Sequence, residues 1–201
     1  AKVGKRVRTG KTHGPPCGLD SRPGFGLGGA AMTSARLHLV CGPPACGKTV
    51  YGQRLAERLG AVFLDSDVAT EPVVQAGLEA AGLSRDDRDS PTYKRLFREP
   101  VYEALFRLAA TNLSQLPVVV AAPFTAESQD PDWPGRLRER FGVVVEVHFV
   151  HCRPEVRRAR IVARGEARDE AKLAAWEDYL QTTAEQRPPF PHVWVDTSDE
   201  S

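Results

Sequence analysis

The chain has 201 residues, of which 41% are hydrophobic and 26% charged, and a formal net charge of +1. That composition suits one folded domain with a sizeable core. With no apolar run near the roughly 20 residues that span a bilayer, and no charged-then-apolar leader, the sequence reads as cytoplasmic. The charge is unevenly placed. Residues 1–31 hold six Lys or Arg and one acid, which leaves 21 basic against 25 acidic residues, a formal −4, for the rest. An acidic body argues against a general nucleic-acid-binding protein, which needs a basic footprint.

The first segment, 1–31, is Gly- and Pro-rich, lacks hydrophobic periodicity and runs up to Met32, the only methionine. It reads as a disordered basic tail lying upstream of a natural start at Met32, with the domain proper over 32–201. An RNA-contacting basic arm is the rival reading of the same residues.

From Arg36 onward, short β-rich runs alternate with helical patterns. "RLHLVC" predicts a strand and "KTVYGQRLAERLG" a helix closed by Gly60. "AVFLD" predicts a second strand, followed by a helix over 68–81, a polar linker, and a long helix over 93–115. "PVVVAAPF" is continuously apolar, as a strand buried on both faces should be. A helix over 132–141, the strand "VVVEVHFV", helices over 154–165 and 169–185, and a last strand "HVWVD" complete the chain. Strands alternating with helices predict a parallel sheet covered on both faces.

The four cysteines show no CxxC pair and read as reduced thiols, partly buried. His148 and His151, at the ends of "HFVH", read as structural histidines rather than metal ligands.

Three motifs carry chemistry. "GPPACGKT" satisfies G-x-x-x-x-G-K-[ST] through Gly42, Gly47, Lys48 and Thr49, after a strand and at the start of a helix. Gly47 lets the backbone approach phosphates, and the amides of Ala45, Cys46, Gly47, Lys48 and Thr49 can converge on their oxygens, with Val50 in the same helical turn. Lys48 should reach the β- and γ-phosphates and Thr49 should ligate Mg²⁺, with Cys46 giving only its amide. In "LDSDV", Asp65 and Asp67 stand at a strand's carboxyl end and share a face if the strand continues. That placement suits a base at an acceptor hydroxyl and a carboxylate supporting Mg²⁺, the latter Asp65. In "CRPEVRRARIVARGEARD", Arg153, Arg157, Arg160 and Arg164 recur along one helical face, with Arg168 beyond. Such a stripe can be a solvated face or a lid carrying guanidinium groups to a phosphoryl group.

Together these motifs resemble the P-loop small-molecule kinases: shikimate- and gluconate-kinase-like enzymes, zeta-toxin-like kinases and predicted ATP-binding AAA-domain kinases. The resemblance covers residues 36–197. It implies an α/β P-loop NTPase fold, a three-layer α/β/α sandwich with a five-stranded, mainly parallel sheet and an arginine-bearing helical lid over about 152–170. It implies ATP and Mg²⁺ as cofactors and a small-molecule acceptor as partner. It places Asp67 at the acceptor hydroxyl, and Arg160, Arg164 and Arg168 at the phosphates. The segment "SRDDRDSPTYKRLFREPVY" resembles one in kinases of unassigned substrate and offers Arg88, Asp89, Ser90, Tyr93, Arg98 and Tyr102 to the acceptor. One departure stands out: relatives often carry an Asp late in the third strand, where this chain has Ala121. The reading is therefore a kinase, with a nucleotide-dependent switch and a nucleic-acid end kinase as alternatives.

Overall fold

A computed structural model describes residues 36–88, 90–182 and 186–199. The tail over 1–31, Cys17, Met32 and Asp89 lie outside them. Strands β1 (Arg36–Cys41), β2 (Val62–Asp65), β3 (Val118–Ala121), β4 (Val144–His151) and β5 (Val193–Asp196) form one sheet in the order β2-β3-β1-β4-β5. Every neighbouring pair is parallel. The helices are α1 (Lys48–Leu59), α2 (Ser66–Ala80), α3 (Pro91–Asn112), α4 (Trp133–Phe141), α5 (Pro154–Arg164), α6 (Glu170–Ala174) and α7 (Trp176–Thr182).

Alternation within the central strands explains the layers. Leu37, Leu39 and Cys41 of β1 pack with Leu105 and Phe106 of α3 and Trp133 and Leu137 of α4. Val40, on the other face, packs with Leu55 and Ala56 of α1, with Val156 of α5 alongside. Both faces of β1 and β3 are thus buried, as the continuously apolar run of β3 foretold. The result is a P-loop α/β fold, with helices on both sides of a parallel sheet. The chain leaves β1 for β2 on one side and later returns to β4 on the other. This reversal opens a crevice at the carboxyl end of β1.

Three boundaries differ from the sequence reading. Helix α2 starts at Ser66, because the Asp65 carboxylate accepts the amides of Asp67 (2.9 Å) and Val68 (3.3 Å) and so caps it. Helix α3 starts at Pro91, where Ser90 accepts the Tyr93 amide at 3.0 Å. The helix expected over 169–185 is instead a 3-10 turn (Ala167–Asp169) followed by α6 and α7, broken at Ala175 with φ −121° and ψ 50°. Among the described residues no helix is long and apolar enough to cross a membrane.

The exit from β1 needs a glycine. Gly42 has φ +137°, and a Cβ there would lie 2.1 Å from the Val150 carbonyl oxygen, which is backbone and cannot swing aside. Gly42→Ala should therefore cost about 3 kcal/mol or more of stability, read as a lower urea midpoint. Gly60→Ala is the control: its φ is +60° but nothing lies within 4 Å of the added carbon. Only conformational strain of about 1–2 kcal/mol is expected there.

Candidate active site

The loop between β1 and α1 is shaped by two left-handed residues, Ala45 (φ 58°) and Gly47 (φ 83°). Gly47 is the N-cap of α1, and no side chain caps that end. The first-turn N–H groups and the positive end of the helix are thus presented to an anion. Lys48 reaches back across the loop, its Nζ donating to the Pro43 carbonyl at 2.8 Å. Burial pulls its ammonium below the ordinary lysine range, while negative charge at Cys46, Asp67 and Asp65 acts the other way. The Cys46 side chain does more than the sequence reading gave it. It is fully buried and takes a contact from the Cys152 thiol at 3.2 Å, tying the loop to the base of α5. That contact lowers the Cys46 thiol's pKa and raises that of Cys152.

The two aspartates separate. β2 ends at Asp65, so the pair does not alternate along one strand as expected. Asp65 is 9% exposed and accepts the Thr49 hydroxyl at 2.7 Å. Asp67 stands in the first turn of α2 with its side chain 60% exposed, 3.3 Å from Nη2 of Arg168. One carboxylate is built into the loop's support, and the other faces outward from it. The register also accounts for Ala121, whose Cα partner across β2 and β3 is Asp65. A carboxylate thus stands beside Ala121, on the adjacent strand. Thr49 Oγ1 and Asp65 Oδ2 form a pair of hard oxygen donors, the ligand type that Mg²⁺ takes, so these residues fit that ion.

The arginine stripe divides. Arg153 pairs outward with Asp199 at 3.0 Å and Glu155 at 3.2 Å. Arg157 is fully buried, its guanidinium 5.7 Å from the ring centres of Trp176 and Tyr179. Arg160 donates to the Thr197 carbonyl at 2.7 Å and its hydroxyl at 3.1 Å, and that hydroxyl donates in turn to the Cys46 carbonyl at 2.9 Å. Arg164 holds the buried Asp169 through Nε at 2.8 Å, and Arg168 pairs with Glu166 and Asp67.

At the far end, Arg88 donates to Glu71 at 2.6 Å and lies over Tyr93, while Arg98 donates to Glu127 at 3.1 Å and lies over Tyr102. The Tyr102 hydroxyl accepts the Phe124 amide at 3.1 Å, and burial pushes its pKa up to about 12. Ser90 caps α3 and bonds Asp87 at 2.5 Å.

A cavity of about 810 Å³ joins these parts. Ala45, Gly47, Lys48, Thr49 and Val50 line one end, with Arg160, Arg164 and Arg168 along one side. Asp65 and Asp67 line it as well, as do Arg88, Tyr93, Arg98 and Tyr102. Gly42, Cys46 and Ser90 do not line it: the first two shape the loop from behind and the third caps a helix. Thr70, Glu71, Lys94, Lys172, Asp178 and Tyr179 also line it and were missed. Glu71 had a signal, since it sits four residues after Asp67 and shares its helical face. The residues from α6 and α7 had none.

Arg160→Ala and Arg164→Ala should lower turnover more than they weaken ADP binding, because guanidinium groups beside a phosphoryl group act most on transition-state charge. Arg138→Ala, on α4 away from the cavity, is the control. Equal, small changes in all three variants would return the stripe to a solvated face. Arg164→Ala should also lower the melting temperature, because Asp169 would keep Lys172 at 3.3 Å but lose its guanidinium.

A shikimate kinase of Thermobifida fusca (strain YX) is 39% identical over 74 residues, a stretch covering 37% of this chain and 41% of that enzyme. The fold is shared with solved structures at low identity. A candidate kinase from Chloroflexus aurantiacus j-10-fl has a TM-score of 0.58 at 22% identity, covering 83% of this chain and 87% of the other. A gluconokinase from Sinorhizobium meliloti 1021 has a TM-score of 0.53 at 22% identity, covering 81% and 82%. The model of the AAA domain family matches residues 37–186. With that match spanning most of its length and its loop built as described, the chain belongs to the AAA domain family of P-loop proteins.

Proposed function

We propose that this protein is an ATP-dependent phosphotransferase that moves the γ-phosphate of ATP to a hydroxyl of a small molecule. The observation that carries the reading is the continuity of the cavity: a phosphate cradle, a row of guanidinium groups and an exposed carboxylate open into one space with an aromatic-lined end. A nucleotide switch has no use for Asp67 beside that second space.

The loop amides and the α1 N-terminus hold the β- and γ-phosphates, and Lys48 leaves Pro43 to meet them. Thr49 and Asp65 would hold Mg²⁺, which neutralises charge on the phosphate oxygens when bound. An acceptor hydroxyl placed at Asp67 attacks the γ-phosphorus as the bond from that phosphorus to the bridging oxygen breaks. ADP leaves, and the hydroxyl proton passes to the Asp67 carboxylate. Arg160 and Arg164 stabilise charge on the transferring group. Arg168 bridges Asp67 and the arginine row, so it can orient the base. Arg88 and Arg98, each paired with a glutamate, act as fixed walls of the acceptor end together with Tyr93 and Tyr102.

A panel of hydroxylated metabolites, natural products and antibiotics incubated with labelled ATP tests this reading. One member of the panel should gain a phosphate by mass. Release of inorganic phosphate alone, whatever is added, would favour a hydrolase or switch.

A further inference from the structure

Within the sheet, on the face that α1 covers, β1 and β4 bring together three groups that the phosphotransfer reading does not use. The register sets His38 beside Glu146 and Val40 beside His148. Residues two apart in a strand share a face, so His38, Glu146 and His148 project from the face that α1 covers. Their ligand atoms form a triangle. His38 Nδ1 lies 3.1 Å from His148 Nε2 and 3.1 Å from Glu146 Oε2, and the third edge is 3.6 Å.

We propose that His38, Glu146 and His148 form a binding site for a divalent transition metal, with zinc the best match. The edge lengths are close to those of coordination: tetrahedral zinc with bonds of 2.0–2.2 Å has ligand-to-ligand edges of about 3.3–3.6 Å. A single proton on His38 Nδ1 can serve both 3.1 Å edges, but it leaves the lone pairs of His148 Nε2 and Glu146 Oε2 facing each other across the 3.6 Å edge. A cation at the centre accepts all three.

The surroundings suit such a site. Both histidine side chains are 5% exposed or less, while Glu146 is 41% exposed and gives the metal a way in and room for a water as fourth ligand. The second nitrogen of His148, Nδ1, meets the Tyr51 hydroxyl of α1 at 2.9 Å, the outer contact that fixes ring orientation and tautomer in histidine metal sites. His38 Nε2 has no hydrogen-bond partner among the described residues, so the polar contacts holding that ring lie in the triangle. Bound metal would cross-link β1 and β4 and, through Tyr51, α1. Sequence spacing did not reveal the set because His38 lies more than a hundred positions from the Glu-x-His pair. Only the strand register unites them.

The test uses the untagged full chain, stripped with chelator and titrated with zinc chloride or cobalt chloride without nucleotide. The wild type should bind one equivalent of zinc against a chromophoric competitor and melt several degrees higher with it. Cobalt should give visible bands of a four-coordinate nitrogen and oxygen site, without a thiolate charge-transfer band. Tyr51→Phe should weaken zinc binding about tenfold, the low end for an outer-contact change. Glu146→Gln, an isosteric change at a half-exposed position, should weaken it by about 100-fold or more, as should His148→Asn. No zinc binding by the wild type, or unchanged binding in Glu146→Gln, would overturn the proposal. So would a cobalt–thiolate band that disappears in Cys46→Ser, since that would place the metal on the buried thiol pair.

Discussion

Lys48→Ala should leave a folded protein that no longer transfers phosphate. The side chain contributes little to the core: its ammonium bonds one loop carbonyl, Pro43, at 2.8 Å, and the loop's shape comes from Ala45 and Gly47. On the proposed reading, what disappears is the loop cation that meets the β- and γ-phosphates, where negative charge builds as the bridging bond breaks. Turnover should fall by about 10²–10³-fold, in line with losing a preorganised electrostatic partner. The melting temperature should move by no more than a few degrees. Activity near that of the wild type would remove the loop lysine, and with it the phosphotransfer reading.

Asp67→Asn should separate chemistry from binding. The substitution keeps the volume but removes the charge and the basic oxygen. Asp67 is largely exposed, and its bond to Arg168 at 3.3 Å is a partly solvated pair worth little to stability. General-base catalysis contributes about 10²–10⁴-fold, so transfer to the acceptor should fall by that factor. Nucleotide affinity with magnesium should hold, because Thr49 and Asp65 remain bonded at 2.7 Å. Slow hydrolysis should persist, since water need not occupy the acceptor's position. Nucleotide affinity and acceptor phosphorylation measured on one preparation decide among the outcomes. Retained transfer removes Asp67 from catalysis, and lost magnesium-nucleotide binding makes it a metal ligand.

What could be read in advance follows the range of the interactions concerned. The phosphate loop was legible because its chemistry is local: Gly42, Gly47, Lys48 and Thr49 lie within eight residues, and strand and helix flank them. The strands were legible because each is a short β-rich run between helical patterns, β3 most plainly, since it is buried on both faces and reads as an uninterrupted apolar run. The start of α2 was misplaced because Asp65 was read only as a ligand, whereas its carboxylate also caps the helix. The arginine stripe was legible as spacing but not as function. Arg157 and Arg160 sit on one helical face, yet Trp176 and Tyr179 bury the first and Thr197 positions the second. Those partners come from distant parts of the chain. The acceptor end was legible only as a segment, since capping by Ser90 and the hydrogen bond from the Phe124 amide to Tyr102 depend on the folded backbone.

The most direct measurement follows the γ-phosphoryl group itself. ATP carrying heavy oxygen on the γ-phosphorus is incubated with the wild type and the acceptor panel, and every product is resolved by mass. Transfer predicts that all the non-bridging label appears on one acceptor's hydroxyl, with ADP formed in equal amount and the product nearly absent with Asp67→Asn. Label found only in inorganic phosphate, at the same rate with every acceptor and in both proteins, would contradict it.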